Sequence, residues 1–517
     1  MSTKSGEAKK TGLFNKFLDF VEVAGNNLPH PVTLFVIFSV LVIIISAIAA
    51  SMGTTVEFER INVATKEVEM VTVSAVSLLT VDGIRRIFAE AVSNFTSFAP
   101  LGTVLVAMLG VGIAEGTGLV QASLRKLVLS TPAKLITAVV VFAGVMSNIA
   151  SDAGYVVLVP LGALIFLSFG RHPLAGLAAA FAGVSGGFSA NLIVGTLDPL
   201  LGGISQQAAQ MYTPGYTVDP TANLYFMIAS TFLITIVGTL VTEKIIEPRL
   251  GEYKGQEKAN IDKITKEESK GLKWATVALV AFIAAILFLT LPQNAVLRGE
   301  DGNLLGESAF MAGLVPIIAL FFLIPGIAYG IGAKTINSDK DIANYMGEAM
   351  ATMGGYLALS FVAAQFVSYF NWTNLGTILA VKGAETLEAT GMTGLPMLVG
   401  FILVSAFINL FIGSASAKWA IMAPVFVPML MAVGYSPELT QLAYRIGDST
   451  TNIITPLMSY FAVVVAFAQK YDKDTGMGTI ISTMVPYSML FLLGWTLLFI
   501  VWFVLGWPIG PGVYMRL

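Results

Sequence analysis

The sequence predicts an all-α polytopic membrane protein built from inverted-topology repeats, with nine transmembrane helices and two opposed re-entrant hairpins. Three observations support this fold class. Only 12% of the 517 residues are charged and 56% are hydrophobic, whereas a soluble protein carries about twice that charged fraction. Several apolar runs are long enough, at roughly 18 residues or more, to cross a bilayer as helices. Finally, one pattern of residues occurs twice.

The repeated pattern links the two halves of the chain. Its members recur 264 positions later, with Tyr155, Pro160, Gly170 and Pro173 matched by Trp419, Pro424, Gly434 and Pro437. A polar break follows each copy, at residues 187–191 and 448–452. Paired interruptions at corresponding places in two halves of a membrane protein indicate a substrate and ion site.

Composition argues against several classes of function. The chain has no cysteine, which excludes disulfides and cysteine-ligated metals, and its two histidines argue against a histidine proton relay. The net charge of −3 is too small to indicate a nucleic-acid partner. The sequence has no catalytic triad, HExxH motif or phosphate-binding loop, so we expect no enzymatic activity. Residues 1–17 show no cleavable signal pattern and are predicted to form a short cytoplasmic tail.

The first repeat is predicted to cover residues 1–242. A span at 31–53 precedes a polar stretch with strand-like alternation, and a second span covers about 100–120. Residues 135–169 then form two apolar arms of about 13–17 residues, too short for the ~30 Å hydrocarbon core. Because basic residues flank both ends, we predict a re-entrant hairpin that enters from the cytoplasm, with its tip at 147–152.

A broken helix is predicted at 173–198, interrupted at 186–191, and an external loop rich in Gly, Gln and Pro follows it. Residues 224–242 return to the cytoplasm. A charged cytoplasmic linker at 243–273 then separates the two halves. Because the linker mixes both signs of charge, we expect a solvated helix or strap rather than a binding tail.

The second repeat is predicted at 274–517, in the opposite orientation. It contains a hairpin at 395–434, interrupted at 413–419 and entering from outside, and a broken helix at 439–468 with its break at 447–456. This topology places the N-terminus in the cytoplasm and the C-terminus outside. Two inverted halves with broken helices meeting near the midplane are typical of a secondary transporter, whereas a channel usually builds a continuous pore from repeated subunits.

Polar residues at the breaks are predicted to hold a coupling ion. Unwound backbone exposes carbonyl oxygens, and a hard cation such as Na⁺ prefers oxygen ligands. We predict a Na⁺ site among the oxygens of Ser147, Asn148, Ser151, Gly187, Asn191, Ser414, Ser449 and Thr450. The alternative coupling ion is H⁺, carried by Asp448 or Asp198. A purely structural role, in which these side chains replace lost backbone hydrogen bonds, also stays open.

Charged and aromatic residues inside the apolar segments form a second set of candidates, because each intramembrane charge costs at least ~2.5 kcal/mol. Arg445 and Asp448 lie three residues apart, so they can face the same side of one helix and pair, either as a structural ion pair or as functional residues of the site. Lys418 either pairs with Asp152 at the other hairpin tip or contacts an anionic substrate. Trp419 either stacks on an aromatic ligand or packs inside the protein.

Four segments resemble the AbgT family of bacterial transporters. They are Ser147-Asn-Ile-Ala-Ser-Asp-Ala-Gly-Tyr155, Gly195-Thr-Leu-Asp-Pro-Leu200, Gly413-Ser-Ala-Ser-Ala-Lys-Trp-Ala-Ile-Met-Ala-Pro424 and Tyr444-Arg-Ile-Gly-Asp-Ser-Thr-Thr-Asn-Ile-Ile-Thr-Pro-Leu457. The resemblance covers nearly the whole chain. It implies a homodimeric protein of the bacterial inner membrane that moves p-aminobenzoyl-glutamate. Some members of the family are associated instead with export of sulfonamide antimetabolites, for which we consider a proton-driven mechanism.

The resemblance also implies where the substrate binds. The family positions that line the substrate path correspond to Asp198, Ser416, Trp419, Pro437, Arg445 and Asp448, and the residue argument adds Lys418 and Asn452. From its position alone, Asp198 is either a solvated helix end or a site residue. The two opposed hairpins also look similar to those of sodium–dicarboxylate carriers. That analogy suggests a mobile transport domain, a dimerising scaffold and elevator-like alternating access.

Overall fold

Apolar helices dominate the structure, a computed structural model that describes residues 29–61, 68–148, 153–255, 263–300, 302–304, 308–391, 394–458 and 460–517. Within these residues, six helices are long and apolar enough to cross a membrane, and two bent helix pairs raise the number to eight. Shorter apolar helices supply hairpin arms and part of a broken helix. The protein is therefore a helical multi-pass membrane protein, as predicted, and the division into nine spans stays a prediction.

The described residues up to 255 contain helices α1 to α11 and one β-hairpin, with α11 inside the predicted linker. In chain order these are α1 (Pro31–Ser51), β1 (Thr55–Ile61), β2 (Val68–Ser74), α2 (Val81–Ala89), α3 (Ala91–Thr96), α4 (Ala99–Gly116), α5 (Leu119–Leu129), α6 (Ile136–Ser147), α7 (Ala153–Ser168), α8 (Pro173–Phe181), α9 (Leu197–Tyr212), α10 (Leu224–Val241) and α11 (Glu247–Leu250). The antiparallel strands place Thr55 opposite Ser74 and Ile61 opposite Val68. The strand-like alternation after the first span is therefore confirmed.

The part predicted as the second repeat contains helices α12 to α22. These are α12 (Lys266–Thr290), α13 (Ala309–Ala312), α14 (Leu314–Ala333), α15 (Asp339–Thr352), α16 (Gly354–Trp372), α17 (Leu375–Ala389), α18 (Gly394–Asn409), α19 (Ala415–Ala432), α20 (Pro437–Thr451), α21 (Phe461–Gln469) and α22 (Met477–Leu505). Helix α12 begins inside the predicted linker, because Thr265 and Glu268 form a capping box there.

The hairpin arms are short, as the sequence predicts. Helices α6 and α7 have 12 and 16 residues, or about 18 and 24 Å of helix. Residues 149–152 of their tip, including the candidates Ser151 and Asp152, lie outside the described residues. Between α18 and α19 the non-helical tip covers only 410–414. The predicted interruption at 413–419 is therefore placed too late, because the Ser414 side chain caps α19 by accepting from Ala417 N.

The first broken helix extends well beyond its predicted end at residue 198. Helix α8 passes into a π-helical turn at Ala182–Gly186, residues 187–196 are non-helical, and α9 then runs to Tyr212. Most of α9 is buried, so the predicted external loop is wrong over that range. Its glutamines misled the prediction because they make internal hydrogen bonds: Gln206 accepts from Val218 N and Gln210 donates to Tyr216 O.

The second broken helix unwinds later than the sequence predicts. Helix α20 continues through Thr451, so the break covers 452–458 and 460 among the described residues, and not 447–456. Thr450 and Thr451 donate their hydroxyls back to Ile446 O and Gly447 O, which is compatible with helical backbone. Gly447 serves close packing on α18, because a Cβ there would lie 2.5 Å from Ile402 O.

Large apolar side chains remain exposed on the outward faces of several long helices. Examples are Val40, Ile44 and Ile48 on α1 and Val277, Val280 and Phe288 on α12. Continuous apolar surface of this kind is typical of contact with lipid or with another subunit. Most of the polar residues predicted as site residues are buried instead, among them Asn148, Asp198, Lys418, Arg445 and Asp448.

Candidate substrate and ion site

One asparagine from each hairpin contacts the broken helix of the same half. Asn148 Nδ2 donates to Gly187 O at 3.3 Å, and Asn409 Nδ2 donates to Asp448 O at 2.6 Å. Both members of the second pair lie 261 positions after those of the first. The two halves therefore repeat one arrangement, in which a buried amide satisfies a backbone carbonyl near the end of a helix.

Several buried oxygens around the first break have no hydrogen-bond partner among the described residues. These atoms are Asn148 Oδ1, Ser185 Oγ, Ser189 Oγ and Asn191 Oδ1. An unpaired buried polar atom is costly, and neutral amide and hydroxyl oxygens suit a hard monovalent cation. By contrast, Ser147 Oγ donates within its helix to Gly144 O at 2.7 Å. The first break therefore fits a Na⁺ ion by the chemistry of its free oxygens.

The second break holds a buried lysine. Lys418 is fully buried; its Nζ contacts Asn409 Oδ1 and lies 2.5 Å from Asp448 Oδ1. The hydroxyl of Tyr444 donates to Ala415 O at 2.6 Å and reaches the same Asp448 oxygen at 3.3 Å. The expected pairing of Asp448 with Arg445 is wrong, because Lys418 enters from the first turn of α19 and occupies that carboxylate.

Arg445 pairs instead with Asp198 of the first half. Its Nη1 lies 2.7 Å from Asp198 Oδ1 as an ion pair without aligned hydrogen-bond geometry, and its Nη2 donates to Ser189 O at 2.9 Å. Asp198 Oδ2 accepts from Gly195 N at 2.7 Å. Asp198 is buried, so the reading as a solvated helix end is wrong. The pair holds α9 and the first break against α20.

Trp419 packs inside the protein. It is fully buried, stacks on Tyr444 with ring centroids 4.5 Å apart, and donates its indole N–H to Ser205 Oγ at 3.0 Å. Ser205 in turn donates to Gln441 Oε1 at 2.7 Å. The stacked face and the indole N–H of Trp419 are therefore occupied by protein partners. Its predicted contact with a ligand stays untested.

A cavity of about 300 Å³ lies between the two hairpins. Tyr155 and Tyr460 stack beside it with centroids 4.8 Å apart and planes 5° from parallel. Its described polar lining is neutral: Asn148, Tyr155, Thr196, Tyr356, Ser414, Ser416, Asn452 and Tyr460. Phe188 adds a further ring. The cavity thus combines aromatic faces with hydroxyl and amide groups, as an aromatic polar solute requires.

A second cavity of about 530 Å³ adjoins the first. It shares Tyr356, Gly413, Ser414 and Ser416 with the first cavity and extends to His30 at the start of α1. The shared residues belong to the tip of the second hairpin and to α16. The first cavity therefore connects towards the N-terminal end of α1.

Ser449 and Pro437, two further predicted site residues, make contacts within the protein. Ser449 Oγ accepts from Ser189 N at 3.2 Å, which ties the two breaks together. Pro437 is the first residue of α20, where its missing N–H is harmless, and Ser436 caps that helix. Asn409 is a central residue that the prediction missed. The signal for Asn409 was that it lies 261 positions after Asn148. This offset was hidden because Tyr155 and Trp419 lie 264 positions apart.

Comparison with known proteins decides the family. The model of the AbgT putative transporter family matches residues 16–517. The chain belongs to the AbgT family. Its members are transporters and not enzymes, as the absence of catalytic motifs predicts.

Three relatives cover almost the full length of this AbgT transporter. It is 40% identical over 502 residues to the p-aminobenzoyl-glutamate transport protein of Escherichia coli strain K12, covering 97% of each chain. It is 48% identical to the YdaH transporter of Alcanivorax borkumensis, whose crystal structure has an unusual topology (TM-score 0.87; 93% and 100% of the chains covered). It is 54% identical to Neisseria gonorrhoeae MtrF, described as illuminating a class of antimetabolite efflux pumps (TM-score 0.90; 96% and 100% covered).

We predict that Asp198→Asn destabilises this transporter by about 3–5 kcal/mol, because it leaves the Arg445 guanidinium buried without its counter-charge. The measurement is thermal unfolding of purified protein, and the exposed Asp339→Asn serves as the matched control. Adding Arg445→Met to Asp198→Asn should recover part of the loss. An unfolding midpoint for Asp198→Asn equal to that of the wild type would contradict the structural importance of the pair.

Proposed function

We propose that the protein moves p-aminobenzoyl-glutamate, or a similar aromatic dicarboxylate, across the bacterial inner membrane. A Na⁺ gradient supplies the free energy for this transport. The observation that carries this proposal is the cavity between the hairpins, where stacked tyrosines, neutral polar groups and the unpaired Oδ1 of Asn148 meet beside the first break. The name of the Escherichia coli relative supports the substrate. The N-terminus lies in the cytoplasm and the C-terminus outside, which accessibility labelling of single cysteines tests directly.

The cavity suits the two chemical parts of this substrate. Its aromatic ring can lie against Tyr155, Tyr460 or Phe188. Its carboxylates can accept from the hydroxyls of Ser414 and Ser416 at the N-terminus of α19. The helix dipole and free N–H groups there favour negative charge. Arg445 and Lys418 are engaged with Asp198 and Asp448 instead, so we assign them to the support of this surface.

Asn148 connects the ion to the substrate. It lines the cavity, holds the Gly187 carbonyl and keeps its own Oδ1 free. A Na⁺ ion bound to Asn148 and Asn191 therefore lies next to the cavity and attracts a substrate carboxylate. Because substrate and ion stabilise the same arrangement, each raises the affinity for the other.

Uptake into proteoliposomes under separate gradients tests the coupling ion. We expect an inward Na⁺ gradient to accelerate uptake of labelled p-aminobenzoyl-glutamate, and Asn191→Ala to weaken the apparent Na⁺ affinity at least about tenfold, as loss of a metal contact does. Asn337→Ala, at an exposed position, is the matched control. No response of the wild type to the Na⁺ gradient would remove the sodium assignment.

We predict that Tyr155→Ala weakens substrate binding about twofold to tenfold, the effect of losing one aromatic contact, while Tyr155→Phe keeps near-normal affinity. The measurement is equilibrium binding of labelled substrate to purified protein. Equal affinities for the alanine variant and the wild type would show that the ring does not contact the substrate.

We further propose elevator-like alternating access in a homodimer. The two hairpins and broken helices form the mobile part, and exposed apolar faces such as those of α1 and α12 are available for scaffold and subunit contacts. Mass measurement in nanodiscs tests the dimer, and a monomeric mass would contradict it.

Crosslinking tests the elevator, and the natural absence of cysteine makes the chain a suitable background. Leu200 of α9 and Val104 of α4 line the same cavity. A bifunctional maleimide joining cysteines at these positions should block turnover without abolishing binding. Each single cysteine treated with the same reagent is the control. Unimpaired transport by the crosslinked protein would exclude the mechanism.

A second candidate function is proton-driven export of sulfonamide-type antimetabolites. The 54% identity to MtrF of Neisseria gonorrhoeae favours it. Such drugs share the para-substituted aromatic ring and lack the glutamate carboxylates, so they can use the tyrosine faces alone. Proteoliposomes that accumulate or expel a sulfonamide only under a pH gradient would support this candidate.

A further inference from the structure

The second half carries a positive charge where the first half has an unpaired oxygen. Asn148 and Asn409 make the same amide-to-carbonyl contact in the two halves. Asn148 Oδ1 is buried without a hydrogen-bond partner in the described part of the chain, whereas Asn409 Oδ1 accepts from the Lys418 ammonium. The Lys418 ammonium therefore binds Asn409 Oδ1 in the way that a cation can bind Asn148 Oδ1.

The ammonium is surrounded by the donors that a small cation prefers. Besides Asn409 Oδ1, its Nζ lies 2.5 Å from Asp448 Oδ1 and 5.4 Å from the ring centre of Tyr444. An amide oxygen, a carboxylate oxygen and an aromatic face all stabilise positive charge. Within the residues that the structure describes, the other carboxylate oxygen, Asp448 Oδ2, is buried without a hydrogen-bond partner, so the site has acceptor capacity beyond the lysine.

Both charges of this pair replace glycines of the first half. Lys418 lies 264 positions after Gly154, and Asp448 lies 261 positions after Gly187. A Cβ at Gly154 would come within 2.0 Å of Ser147 Oγ, so no side chain fits there without rearrangement. The first half thus excludes a tethered cation by sterics, and the second half supplies one together with its counter-charge.

We propose that Lys418 is the resident cation of the second half and takes the place of a second coupling ion. The transporter then binds one exchangeable Na⁺ per protomer, at the first break. The second hairpin stays attached to α20 through a permanent ion pair, while the first depends on an ion that comes and goes. The number of one Na⁺ per protomer rests on the proposed Na⁺ coupling. The proposal that Lys418 takes the place of a cation does not depend on that coupling.

Equilibrium binding of radioactive Na⁺ to the purified full-length protein tests this inference. We expect one Na⁺ per protomer for the wild type and two for Lys418→Ala, because Asp448 and Asn409 are then free to bind the ion. Lys382→Ala, at an exposed lysine, is the matched control and should bind one Na⁺ per protomer. The double variant Lys418→Ala/Asp448→Asn removes the carboxylate and should also bind one. The rise in unfolding temperature in NaCl relative to choline chloride of equal concentration should be several degrees larger for Lys418→Ala than for the wild type.

The number of Na⁺ ions that Lys418→Ala binds beyond the wild type tests whether Lys418 replaces a cation. The number that the wild type binds tests the proposed Na⁺ coupling. A gain of one Na⁺ in Lys418→Ala supports the resident cation even if the wild type binds none, which would remove only the Na⁺ coupling. Equal numbers in the two proteins, or two ions in the wild type, overturn the inference. A rise in unfolding temperature in NaCl that is no larger for Lys418→Ala than for the wild type overturns it as well.

Discussion

The arrangement depends on satisfying backbone polar groups where helices end inside the protein. A carbonyl without a partner costs free energy in the membrane interior, because no water is available to replace the lost hydrogen bond. Asn148 and Asn409 meet this demand at Gly187 and Asp448 by the same contact. Each amide fixes a hairpin to its broken helix, so the breaks persist as defined surfaces.

The two halves are then locked to each other by buried polar contacts. Arg445 of α20 bonds to the unwound backbone at Ser189 and pairs with Asp198 of α9, and Ser449 accepts from Ser189 N. Buried ion pairs contribute little net stability compared with apolar packing, but removal of one partner is severe. Their effect here is to define one relative position for the breaks, which determines the shape of the cavity between them.

Two aromatic residues at equivalent positions of the repeat have different surroundings. Tyr155 and Trp419 hold equivalent positions in the repeat, yet Tyr155 lines the cavity and Trp419 is sealed against Tyr444 and Ser205. The second tip places Trp419 three residues further from its asparagine than the first tip places Tyr155. In the second half Lys418 reaches Asp448 and the tryptophan is fully buried, so equivalent sequence positions have unequal chemistry.

The sequence by itself determined the membrane class, the repeated pattern, the short hairpin arms and the polar breaks, because apolar length and local Gly, Pro and Ser content control these features directly. It could not determine that α9 is buried or that α20 stays helical through Thr451, since internal hydrogen bonds override local composition there. Only the tertiary structure decided the partners of the charges. Arg445 and Asp448 are close in sequence, but Asp198 and Lys418 reach them from other helices, and the strength of a buried charge pair depends on distance in space and not on separation along the chain.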